Sequence, residues 1–146
     1  MNWPAARPTF SPRRVPGRGP IPPDVMIVGE VPDARADFRM EPFDGAEGVG
    51  FELRKQLSEA GIVVSRCYFT YACKHKPSGW IGDVFPTSKK AGLEAGATFV
   101  DGKWADAFML QQAADLHKEI ETVQPKIVVA LGEVALWMLT GETSIM

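Results

Sequence analysis

Cysteine, histidine and tyrosine are each present only twice in this chain of 146 residues. No apolar run approaches the roughly 18 residues a membrane span needs. The first residues carry arginines and prolines but no apolar core of a secretory signal, so a cytoplasmic setting is expected. Formal net charge is only −2, and bulk charge does not announce nucleic acid. Neither a G-x-G-x-x-G turn nor a P-loop occurs, which argues against an ordinary nucleotide- or phosphate-binding α/β protein. No internal repeat is visible. The two thiols, Cys67 and Cys73, sit in or beside the strand-like "RCYFTYAC". Strand steps of about 3.3 Å put them roughly 20 Å apart, against about 7 Å between Cα atoms for a disulfide. Two free, buried or half-buried thiols are expected.

Proline, by contrast, is concentrated. Pro4, Pro8, Pro12, Pro16, Pro20, Pro22 and Pro23 exclude regular helix or central strand from residues 1–23. Arg7, Arg13, Arg14 and Arg18 meet no acid before Asp24, and Trp3 and Phe10 are interleaved. Residues 1–23 therefore read as an extended arm. It either lies along the domain or uses Arg13 and Arg14 to touch phosphates or a partner protein. Residues 24–146 read as one α/β domain.

Three stretches are apolar throughout: "DVMIVGE" (24–30), part of "IVVSRCYFTYAC" (62–73) and "PKIVVALG" (125–132). Continuous rather than alternating apolarity suits strands covered on both faces. Helical periodicity marks residues 47–61, with Val49, Leu53, Leu57 and Ala60 on one stripe. It also marks 106–124, with Met109, Ala113, Leu116, Ile120 and Val123, and a short helix over 133–141 closed by Gly141. Residues 74–97 form a polar insertion too long for a simple connection. "TFVDGKWA" (98–105) has Asp-Gly at a hairpin turn. The alternation predicts a three-layer α/β/α fold with a short parallel sheet, strand order 2-1-3, and a small β-hairpin insertion. Ligands of such sheets bind at the carboxyl ends of the strands, where Glu30 would be delivered.

Gly29-Glu30-Val31-Pro32, Glu41-Pro42-Phe43-Asp44-Gly45, Thr70 through Pro77, and Pro125 through Gly132 follow one another in order. This succession resembles the uracil-DNA glycosylase superfamily, and within it the iron–sulfur, family-four type and domains found with some phage DNA polymerases. The resemblance covers roughly residues 24–141. It implies DNA as partner, removal of a base extruded from the stack, and a cytoplasm that could be that of a phage-infected bacterium. Phe43 would stack the base. Gly29, Val31 and Pro32 would line the substrate site, and backbone N–H groups around Glu30 and Val31 would face the base oxygen. Glu30 would hold the attacking water or offset the sugar cation. Lys74 and Lys76, with Arg13 and Arg14, would contact phosphates. Glu30 and Phe43 should then converge on one concave nook.

Other readings of the same residues stay open. Glu30 could cap a turn, Phe43 could be core, and Lys74 and Lys76 could be ordinary exposed lysines. Asp33 and Asp37 read as solvated loop charges, and His117 as a surface residue. The chain also departs from the family pattern. Tyr71 stands where an asparagine reads uracil, and tyrosine lacks the amide's paired donor and acceptor. His75 replaces a cluster cysteine and the other cysteines have no counterpart, so no iron–sulfur centre or other metal cofactor is expected. A His-Pro-Ser segment on a fourth strand is absent, so the expected sheet lacks that strand. The ending is expected to be that of a truncated or split product. Its open edge could accept a replication or repair protein, and the fold could then bind DNA without cutting it.

Overall fold

The computed structural model describes residues 7–142, so Trp3 and Pro4 of the arm lie outside the described residues. Along the chain run β1 (Val25–Gly29), α1 (Ala34–Arg39), α2 (Gly48–Glu59), β2 (Cys67–Tyr71) and α3 (Lys89–Glu94). Then come β3 (Thr98–Val100), β4 (Lys103–Ala105), α4 (Ala107–Val123), β5 (Ile127–Ala130) and α5 (Glu133–Thr140).

The three apolar stretches form one parallel sheet in the order β2-β1-β5, which is the predicted order 2-1-3. In its register, Val25 lies between Cys67 and Ile127, and Val28 between Thr70 and Ala130. Parallel neighbours need long crossovers, and α2 and α4 lie in them. Successive residues of β1 then face opposite layers. Met26 and Val28 pack with Met109, Leu116, Val134 and Trp137 of α4 and α5. Ile27 packs with Ala36, Phe43, Phe69 and Tyr71, with Leu53 and Leu57 of α2 half-buried behind them. The predicted hairpin is present as β3 and β4, paired antiparallel.

Two expectations of burial fail at the margins. Only Gly50 is buried on α2, and Val49, assigned to its apolar stripe, is 62% exposed. Along β5, Ile127 is 59% exposed, because this strand borders a single neighbour. Sequence apolarity alone does not separate an edge strand from a central one.

The arm lies on the other edge. Arg18 and Phe69 exchange backbone hydrogen bonds of 2.9 and 2.8 Å, Val15 N donates to the Lys74 carbonyl, and Ser11 N donates to the Lys76 carbonyl. His75 Nδ1 donates to the Ser11 carbonyl at 2.9 Å. Val15 is fully buried among Ile27, Phe69 and their neighbours. Residues 10–18 thus cover the edge of β2 that would otherwise present unpaired backbone groups. Cys67 and Cys73 are both buried free thiols. Among the described residues no helix is long and apolar enough to cross a membrane.

Candidate functional site

The carboxyl ends of β1 and β5 open onto two separate cavities. The larger, of about 590 Å³, is bordered by Phe43, by Val49 and Leu53 of α2, and by Leu131 beyond β5. Phe43 is held there by several contacts at once. Its backbone is left-handed, with φ 49°, a conformation that costs about 1–3 kcal/mol in a non-glycine residue unless its surroundings impose it. Tyr71 Oη accepts from Phe43 N at 3.0 Å, and Arg54 Nε donates to the Phe43 carbonyl at 2.8 Å. The Phe43 ring lies over Gly29, where a Cβ would come within 2.5 Å of Cζ. The glycine that ends β1 is therefore the space the ring occupies.

Tyr71 is only 3% exposed and stacks on Phe43, with centroids 4.8 Å apart and planes 27° from parallel. Burial pushes its phenol up to about 12, so it stays neutral. One face of Phe43 is thus taken by Tyr71, whose hydroxyl is spent on the Phe43 backbone.

Glu30 goes the other way. As the residue after Gly29 it points to the opposite sheet face, and its Oε2 accepts from Val134 N at 2.8 Å. The residue preceding α5 is Gly132, which has no capping side chain. A Cβ on Gly132 would lie 2.5 Å from Glu30 Cδ. Glu30 therefore caps α5 from a distant strand, a placement that also suits a negative charge at a helix start. The cap therefore falls on α5, not on a turn following Glu30. Glu30 also borders the second cavity, of about 220 Å³, together with Trp80, Gly82 and Lys103. The expected single nook with Phe43 is corrected by strand alternation: neighbours at the end of β1 serve different cavities. Val31 packs half-buried against the α4 and α5 core, and Pro32 is fully buried.

Lys74 is the second correction. Expected at phosphates, it is 1% exposed, and its Nζ pairs with Glu119 Oε1 at 2.8 Å while donating to the Tyr71 carbonyl. Burial pushes its ammonium below the usual lysine range, and Glu119 opposes that shift. Glu119 also accepts from Tyr68 Oη at 2.8 Å and Thr70 Oγ1 at 3.0 Å, while Gln112 Oε1 accepts from Lys74 N. Gln112 and Glu119 escaped the sequence reading, although they share the helical stripe of Met109, Leu116 and Val123. Polar residues on an otherwise apolar stripe were the available signal.

The remaining cations are nearer the surface. Lys76 is half-buried and donates to the Pro77 carbonyl. Arg13 pairs with Asp37 at 3.2 Å, and Arg14 is exposed beside Tyr68 and Lys118. Asp33 caps α1 by accepting from Ala36 N at 2.8 Å, and so is more than a solvated loop charge. Asp37 also accepts from Ser11 Oγ at 2.6 Å and so anchors the arm. His117 is exposed, as expected, and donates through Nε2 to the Met138 carbonyl.

A four-thiolate cluster does not fit these residues. Cys73 Sγ donates to the His75 carbonyl, the His75 ring is turned to the arm, and Cys67 lies six residues back along the strand. Among the described residues no three His, Cys, Asp or Glu side chains gather as a metal site. A family model for the uracil DNA glycosylase superfamily matches residues 16–145, nearly the whole chain. This chain belongs to the uracil DNA glycosylase superfamily.

Proposed function

We propose that this protein is a uracil-DNA glycosylase-like protein that binds DNA and takes an extruded base into the cavity beside Phe43. The observation that carries this is the Phe43 ring, fixed on Gly29 by an imposed left-handed backbone at the border of a cavity of about 590 Å³. The ring is only 8% exposed, so it forms a rigid part of the cavity wall, and its loss of mobility has been met in folding rather than at binding. The exposed Arg13 and Arg14, with Lys76, supply the backbone contacts. The cytoplasm of a cell or of a phage-infected bacterium is where such DNA would be met. The exposed edge at Ile127 and Val128 would serve a replication or repair protein that adds a strand there.

A second reading adds hydrolysis of the N-glycosidic bond. It is favoured by Glu30, which borders the smaller cavity and whose Oε1 accepts no hydrogen bond among the described residues, and it requires the extruded base to enter that cavity rather than the one beside Phe43. The test uses the purified chain and an oligonucleotide carrying uracil. Binding that weakens with salt, and that falls in Phe43→Ala, supports the first reading; absence of binding at low salt overturns it. Alkali-labile sites that vanish in Glu30→Gln establish the second. Binding without such sites leaves the chain a module that grips DNA without cutting.

A further inference from the structure

Trp80 is the most exposed indole of the described residues, at 72%, and it sits in the polar insertion of residues 74–97. Its mounting is rigid. The turn that follows it, Ile81–Val84, drives Ile81 and Val84 into the core, with 4% and 0% exposure. Asp83 N donates back to the Trp80 carbonyl at 3.1 Å. Gly82 lies under the indole: a Cβ there would be 2.5 Å from both Cζ2 and Cη2 and 2.7 Å from Cζ3. Near-equal distances to three adjacent ring atoms place the glycine beneath the ring's face, not off its edge. One face of the indole therefore rests on backbone, and the other is offered to solvent.

The surroundings are polar. Trp80 shares the cavity of about 220 Å³ with the Glu30 carboxylate and with Lys103, whose Nζ pairs with Glu133 at 3.4 Å. Ser78 and Gly79, just before it, are exposed. A protein interface would want contiguous apolar area around the indole. A single flat π-face beside two carboxylates, Glu30 and the Lys103-paired Glu133, suits a planar heterocycle with N–H donors on its edge.

We propose that Trp80 is a stacking platform for an unpaired nucleobase of single-stranded DNA, with Glu30 Oε1 receiving the base's N–H and Lys103 near its oxygens. This base is distinct from one held beside Phe43, and the proposal rests on the DNA-binding reading above. Gly82 is the positioning residue, because any side chain there tilts the indole.

The test titrates the full chain with a short oligothymidylate and with an abasic strand of the same length, following tryptophan emission and affinity. Quenching by the oligothymidylate and not by the abasic strand is expected. Trp80→Ala should weaken binding roughly 5- to 100-fold, the usual range for one lost base stack. Trp80→Phe should keep most of the affinity while losing the quench, which assigns the signal among the four tryptophans. Gly82→Ala should weaken binding without removing any contacting group. If the chain binds the oligothymidylate but Trp80→Ala changes affinity by less than about twofold, or the quench persists in Trp80→Phe, the platform is wrong and DNA binding stands. If the wild-type chain binds neither strand at low salt, DNA binding and the platform fall together.

Discussion

Lys74 shows what burial does to a residue that looks like a surface cation in the sequence. Its ammonium and the Glu119 carboxylate hold each other in place, and each would be costly alone. Lys74→Ala should therefore destabilise the chain by about 3–5 kcal/mol in urea unfolding, since it leaves Glu119 without its counter-charge. Adding Glu119→Gln to Lys74→Met should recover much of that loss, because the amide oxygen still accepts from Tyr68 and Thr70. Tyr71 supports a prediction in pH. Burial pushes its folded phenol up to about 12 from 10.0, so above pH 10 the unfolded chain gives up this proton first. The stability that the neutral buried phenol contributes is present below pH 10 and lost as pH rises towards 12. Wild type should lose about 2–3 kcal/mol relative to Tyr71→Phe across that window, measured by unfolding at each pH. A constant difference between the two would show that the phenol is not buried as described.

At the scale of elements, Glu30 and α5 depend on each other. Glu30→Ala removes the acceptor for Val134 N and should cost about 1–2 kcal/mol, with faster amide exchange in the first turn of α5. Glu30→Gln keeps an acceptor and should stay close to wild type in stability, so any loss of activity in that variant reports chemistry rather than folding. The long elements were legible because they repeat a period often enough: the helices over 48–59 and 107–123 and all three parallel strands lie inside their predicted spans. The six-residue α1 and α3 were not, since one and a half turns cannot establish a period. Their only advance signals were Asp33 and Ser88, which cap them. The candidate site was legible as a set of residues at strand ends. How they divide between two cavities was not, because that depends on which face of β1 each neighbour takes and on a helix that begins more than a hundred residues later.

The whole molecule is a three-stranded sheet with two unlike edges, and the arm decides the difference. On the β2 side, Arg18 and Phe69 pair their backbones and Val15 enters the core; on the β5 side, Ile127 and Val128 stay in contact with water. Pro12 and Pro16 suit this task, because the arm needs donors only at intervals: Ser11, Val15 and Arg18 donate, and these prolines lie between them. Val15 is the fully buried apolar anchor of this stretch, while Phe10 is half-buried against Phe108 nearer its start. Val15→Asp would place a carboxylate among the apolar side chains of Ile27 and Phe69, a cost of several kcal/mol. The arm can escape that cost by lifting off, whereas β1, paired on both sides, cannot. The expected outcome is selective: the Phe69 amide, which donates to Arg18, should exchange rapidly in Val15→Asp, while the amides of β1 keep their protection. The uncovered β2 edge should then drive association at high concentration. Equal loss of protection in β1 and β2 would mean instead that the arm is part of the cooperative core and does not come away on its own.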